Sequence, residues 1–315
     1  NICWTGNTLT DWLSGGTQYF LDGSVKEADY GFLSFHMFDS CISSDDGAYV
    51  FVYQKLGTKG LLMKDGNIMR EINRSYYMAD SYEYPAAFVR AKNGKTYLVH
   101  CPVSYCQLDF EDVETGEILT NNEIRKPVDC FHARLEISPG NEYLLSKGWL
   151  WQPVDVVQVY DIEQCLLNPT LLDVPVNSYP LLASEVAAAS FIDNERLLFY
   201  TGGYIFDKKK TLKVPQGRLI VWNIKENKIE AVQKPDFMVG NLFAIDENFA
   251  WDLYDFPKLI NLKTGKIENQ IEEIDSGRQG SAIINHLDKF PQIAFNKHTK
   301  QIAIANPDII EILSV

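Results

Sequence analysis

The sequence predicts an all-β protein assembled from repeated four-stranded units. Three observations carry the prediction: a polar turn recurring at a near-constant interval, a second turn following each first one, and little helical periodicity. The first turns centre on Gly47, Gly94, Gly140, Asn194, Glu247 and His298, which stand 47, 46, 54, 53 and 51 residues apart. Gly, Asn and Asp supply the left-handed or Asx backbone that a tight antiparallel turn requires.

Each first turn precedes an apolar or alternating strand, read as Tyr49–Tyr53, Thr96–His100, Tyr143–Leu145, Arg196–Tyr200, Phe249–Leu253 and Gln301–Ala305. The second turns follow strands such as Leu219-Ile220-Val221-Trp222 and Leu259-Ile260-Asn261-Leu262. A short turn around 161–167 is the best helical segment. Four-stranded units at this period define a β-propeller. Six first turns predict a single propeller of six four-stranded blades over residues 1–315, with seven blades as the alternative. The last unit stops before its outermost strand. Residues 1–34 are therefore expected to close it, through Gln18-Tyr19-Phe20-Leu21, and to add a cover. A seventh blade would require those residues to supply most of a sheet.

Composition bounds the function. With 42 acidic and 29 basic residues the net charge is −13, which excludes a nucleic-acid backbone binder on bulk charge. No apolar run is long enough for a membrane-spanning helix. The opening Asn-Ile-Cys-Trp-Thr-Gly lacks the pattern of a signal peptide. Six scattered cysteines are too sparse for a disulfide scaffold and fit buried thiols in a reducing compartment. A cytoplasmic location is expected. A secreted mature chain is the alternative, because Cys101 and Cys106 flank a predicted hairpin where they face each other.

The strand endings Val159-Tyr160-Asp161-Ile162 and Val221-Trp222-Asn223-Ile224 resemble the Trp-Asp ending of a WD40 repeat, and Ser138-Pro139-Gly140-Asn141 resembles that family's first turn. The resemblance is degenerate: no Gly-His dipeptide opens a repeat, and the Trp251-Asp252 dipeptide falls in a second strand, out of register. It implies a scaffold fold and leaves the function to the site.

No nucleophile elbow, phosphate loop or zinc motif occurs. The five histidines are dispersed, and Cys101-Pro-Val-Ser-Tyr-Cys106 spaces its thiols too widely for a zinc knuckle. Asp45-Asp46-Gly47 and Asp246-Glu247-Asn248 sit where the repeat demands turns and lack a calcium-loop pattern. No catalytic, metal-binding or cofactor-binding residue is assigned, and no cofactor is expected.

The connections after second and fourth strands, which emerge on one face of a propeller, are unusually aromatic. They carry Tyr76, Tyr77, Tyr82, Tyr84, Trp149, Trp151, Tyr204, Phe206, Trp251, Tyr254 and Phe256. Exposed aromatic groups mark interfaces, whereas the same rings between blades would be packing. The Lys208-Lys209-Lys210 run reads as a solvated hairpin tip. The leading expectation is a non-catalytic interaction scaffold that docks a protein or peptide through these loops. The alternative is a channel-based enzyme, or a small-ligand or glycan binder, with a metal or carboxylates at the channel mouth. Asp80, Glu83 and Asp255 are its loop candidates.

Overall fold

The computed structural model describes residues 1–28, 37–151, 154–174, 184–205 and 214–315, with only the backbone of 184, 204 and 205. Its strands form seven antiparallel sheets in chain order. Blade 1 runs through Ile2–Thr5, Thr8–Asp11, Thr17–Tyr19 and Val25–Lys26, and blade 2 through Ser40–Ser43, Tyr49–Tyr53, Lys59–Lys64 and Asn67–Asn73. Blade 3 contains Ala86–Arg90, Thr96–His100 and Asp109–Asp112, and blade 4 contains Glu136–Ile137, Tyr143–Leu150 and Val154–Asp161. Blade 5 starts with Ser184–Phe191 and Arg196–Ile205 and ends with Leu219–Asn223 and Lys228–Gln233. Blade 6 has Leu242–Ala244, Phe249–Asp252, Lys258–Asn261 and Lys266–Gln270. Blade 7 has Gln292–Phe295, Ile302–Asn306 and Ile309–Leu313.

The six-blade expectation is therefore corrected to seven. Residues 2–26 do not lend a strand to the last sheet; they form a four-stranded sheet of their own. Among the described residues, Ile309–Leu313 pairs only with Ile302–Asn306, so blade 7 is not closed by an N-terminal strand. The ring closes instead by side-chain packing. Ile2, Trp4 and Leu9 of blade 1 pack on Ala294 and Ala303 of blade 7, and the Trp4 indole donates to the Ala294 carbonyl at 2.9 Å.

The core is a ring of wedges. One apolar cluster fills each of the seven gaps between neighbouring blades, such as Tyr97, Val99 and Phe110 against Leu144 and Tyr160 between blades 3 and 4. A sheet with a neighbour on both faces buries both faces, so Tyr49–Tyr53 and Thr96–His100 are buried throughout. The outer Lys228–Gln233 strand instead alternates between exposed and half-buried.

Two blades replace the outer strand. After blade 4, Asp161 caps a short helix, Ile162–Leu167, by accepting from Gln164 N at 2.9 Å, and a 3₁₀ turn, Pro169–Asp173, follows. After blade 3, the 113–130 loop is pinned to that turn. Arg125 Nε donates to Asp173 at 2.8 Å, while its Nη1 reaches Asp109 at 3.1 Å.

Candidate functional site

The connections after second and fourth strands emerge on one side of the ring, the aromatic face, and the first turns on the other, the turn face. On the aromatic face two connections from opposite sides of the ring meet over its axis. Tyr82 and Ile283 form an antiparallel bridge, Glu83 N donates to the Ala282 carbonyl at 3.3 Å, and Ile284 N donates to Ser81 at 3.0 Å. Blade 4 ties this cap down. Asp155 accepts from Ser281 Oγ at 2.9 Å and Ala282 N at 3.1 Å, and Arg134 donates to the Ser281 carbonyl at 3.3 Å.

Beside the cap lies a stack of rings. Phe131 and Trp149 face each other at 4.0 Å, 7° from parallel, and their backbones exchange two hydrogen bonds of 2.9 Å. Gly148 permits that approach, because a Cβ there would stand 2.0 Å from the Phe131 carbonyl oxygen. Tyr105 stacks on Phe131 at 4.4 Å, Tyr77 meets Tyr105 at 4.9 Å, and Trp151 sets its edge on Phe131 at 5.3 Å. Tyr82 packs edge-on against Phe131 from the cap at 5.3 Å.

Arg74 shapes the loop that carries the tyrosines. Its guanidinium donates to the carbonyls of Gly57, Ala79 and Tyr82 and lies 4.5 Å from the Tyr82 ring and 4.8 Å from the Tyr84 ring. Burial holds its pKa below the ordinary arginine range. The hydroxyls of Tyr82 and Tyr84 and the indole N–H of Trp149 are buried without a hydrogen-bond acceptor among the described residues. Each costs about 1–3 kcal/mol, which the packing of the rings has to exceed.

The sequence-predicted residues thus separate. Tyr76, Tyr77 and Trp151 are 85%, 46% and 44% exposed. Tyr82 and Trp149 are the buried base of the same cluster. Tyr84 belongs to the wedge between blades 2 and 3, 5.5 Å from Phe51, and Trp251 to the wedge between blades 6 and 7. Tyr254 and Phe256 are half-buried on blade 6, with Lys258 Nζ 4.1 Å over the Phe256 ring. The side chain of Tyr204, together with Phe206 and Lys208-Lys209-Lys210, lies outside the described residues. Sequence reasoning missed Tyr105, Phe131 and Arg74. Only their neighbourhood to loop aromatics signalled them.

One buried carboxyl serves architecture. Asp252, at the end of a second strand, accepts from Gly240 N at 2.9 Å and Asn241 N at 2.8 Å, and burial pushes its carboxyl up to about 6. It is fully buried, so a substrate cannot touch it. Among the described residues no three His, Cys, Asp or Glu side chains converge as metal ligands. All six cysteines are free thiols, Cys101 and Cys106 included. No helix among the described residues is long and apolar enough to cross a membrane.

His132 follows Phe131 and is buried with Nδ1 3.0 Å from Ser146 Oγ. Desolvation pushes its pKa down to about 4. The unfolded chain takes up this proton near pH 6.5, the folded chain only near 4. The stabilisation is therefore complete above about 6.5 and lost as the pH falls towards 4. Asp109, Asp155 and Asp252, whose pKa values burial raises, act in the opposite sense. The wild type is expected to lose about 2 kcal/mol more than His132→Gln between pH 7 and pH 5 in urea unfolding. Equal losses in the two proteins would remove this assignment.

No family model matches the chain, and no curated protein matches it. Solved structures do. A chain of a mitotic checkpoint complex aligns over all of this chain and 86% of its own length, at 12% identity and a TM-score of 0.54. The dihydro-heme d1 dehydrogenase NirN aligns over 96% of this chain at 16% identity and a TM-score of 0.50. The chain spans 60% of the length of the NirN chain. One neighbour is part of an assembly and the other is an enzyme, so what this chain shares with both is the β-propeller fold.

Proposed function

We propose that the protein is a non-catalytic interaction scaffold, WD40-like in use as in strand endings, that docks a peptide segment of a partner protein on its aromatic face. The observation that carries this reading is the exposed layer of Tyr77 and Trp151, held with half-buried Tyr105 on the buried Phe131–Trp149 stack. A pre-ordered aromatic surface loses little side-chain entropy on binding. A groove lined by Leu56, Tyr76, Tyr77, Met78, Asp80 and Val103 continues from it. Asp129 holds the Tyr105 hydroxyl at 2.7 Å, and Asp80 is exposed on the rim. Aromatic faces with nearby carboxylates on a chain of charge −13 suit a segment carrying Arg or Lys.

A photo-crosslinker at Tyr76 should capture the partner, and the partner's affinity should fall more than tenfold, about 1.4 kcal/mol, in Tyr77→Ala/Trp151→Ala. Undiminished affinity in that double variant would discard the reading. An aromatic-face channel mouth, as the alternative expects, is disfavoured by the cap, to which Glu83 itself belongs.

A further inference from the structure

Beneath the cap the ring encloses a cavity of about 250 Å³ that opens on the turn face. Its apolar lining comes from six blades, with Trp4, Ile42, Phe88, Ile137, Phe243 and Phe295 among the larger members. Its polar lining sets Lys147, Lys297 and His298 against Glu136 and Asp45. Lys147 is only 8% exposed, and its ammonium makes one bond, to Glu136 Oε2 at 2.8 Å. The other Glu136 oxygen is already occupied by Ser190 Oγ and Phe191 N, each at 2.9 Å. Lys297 reaches across to Asp45 at 2.9 Å and Asn141 at 3.3 Å. Next to the cavity, Lys300 donates to the carbonyls of Phe191 and Ile192 and has no carboxylate partner among the described residues. Asn296 Oδ1 is taken by the backbone N–H groups of His298 and Thr299.

Two ammonium groups line the cavity, each paired with one carboxylate; Lys147, Ser190 and Phe191 fill Glu136, and Lys297, Asn141 and His298 fill Asp45, so the spare hydrogen-bonding capacity is the unused lysine N–H donors. Burial holds Lys147 and Lys297 below their ordinary pKa range, against the opposing pull of Glu136 and Asp45. A ligand that fits must bring acceptor atoms and a compact apolar body, and a carboxylate offers two ammonium groups the strongest acceptors. The volume lies below the roughly 300–1,000 Å³ of drug-sized sites, which excludes nucleotides and cofactors of that size.

We propose that this cavity binds a small organic carboxylate, its head against Lys147 and Lys297 and its body against Trp4, Phe88, Phe243 and Phe295. The proposal is independent of the aromatic-face reading. Titration calorimetry on the whole chain with benzoate, benzamide and acetate tests it. Benzoate should bind at least tenfold more tightly than benzamide, which lacks the charge, and than acetate, which lacks the body. Lys297→Gln should weaken benzoate at least tenfold, and Ile42→Phe, which fills the cavity from a half-buried position, should abolish binding. Tyr77→Ala/Trp151→Ala should leave benzoate affinity unchanged. Equal affinity for benzoate and benzamide, benzoate binding that survives Lys297→Gln, or no benzoate binding to the wild type would each overturn the proposal. The lysine variant keeps the test decisive if Ile42→Phe does not fold.

Discussion

Trp149→Ala is expected to destabilise the fold by about 3–5 kcal/mol, measured by urea unfolding. The indole is buried, stacked on Phe131 at 4.0 Å and packed edge-on to Tyr82 at 6.5 Å and Trp151 at 5.6 Å. Removing it opens a void under the cap that the surrounding rings can only partly fill. The indole N–H has no acceptor among the described residues, so little hydrogen bonding is lost with it. Trp149→Phe should therefore recover most of the difference, since it keeps a flat ring on Phe131. A loss below about 1 kcal/mol for the alanine variant would mean that the stack is not a packing unit.

Arg125→Met should cost a similar 3–5 kcal/mol by a different mechanism. Arg125 bonds Asp109, Asp173 and the carbonyls of Thr120 and Leu108, all in the interior. Its removal leaves two buried carboxylates without a counter-charge. Protonating Asp109, whose pKa burial raises, relieves part of the penalty, so the deficit of the variant should shrink between pH 7 and pH 4.5. Adding Asp109→Asn and Asp173→Asn to Arg125→Met should recover part of it at pH 7. Lysine should rescue poorly, because one ammonium cannot reproduce the planar fork. A deficit that is constant with pH would instead point to lost packing of the arginine stem.

The contrast between these residues explains what the sequence made legible. The repeats were readable because each first turn needs Gly, Asn or Asp, and Gly94 and Asn141 do adopt positive φ, at 80° and 57°. Strand starts such as Tyr49 and Thr96 followed directly. Blade 1 entered only through the seven-blade alternative, although Gly6-Asn7 is such a turn. It stands 41 residues before Gly47, outside the spacing of the others, and its strands hold four residues or fewer. Tyr77 and Trp151 could be named from loop composition. Their common base was legible only in Trp149, because Phe131 and Tyr105 join it only after blades 3 and 4 are placed side by side. Trp149 and Trp151 also show the limit of alternation: the strand ends at Leu150, so one ring points inward and the other escapes to the surface. The charges of the cavity were equally hidden, since Lys147, Lys297 and Asp45 come from three different blades.

The way the ring shuts bears on how fast it forms. Among the described residues every backbone ladder joins strands adjacent in the chain, so each sheet can assemble early from local contacts. Bringing blade 7 onto blade 1 joins positions 290 residues apart, as in the Trp4–Ala294 bond, and among the described residues no shared strand rewards the encounter. Loop-closure entropy grows only slowly with length, yet this step has to be driven by the burial of a few apolar side chains. Annealing of that seam is therefore expected to come late in folding.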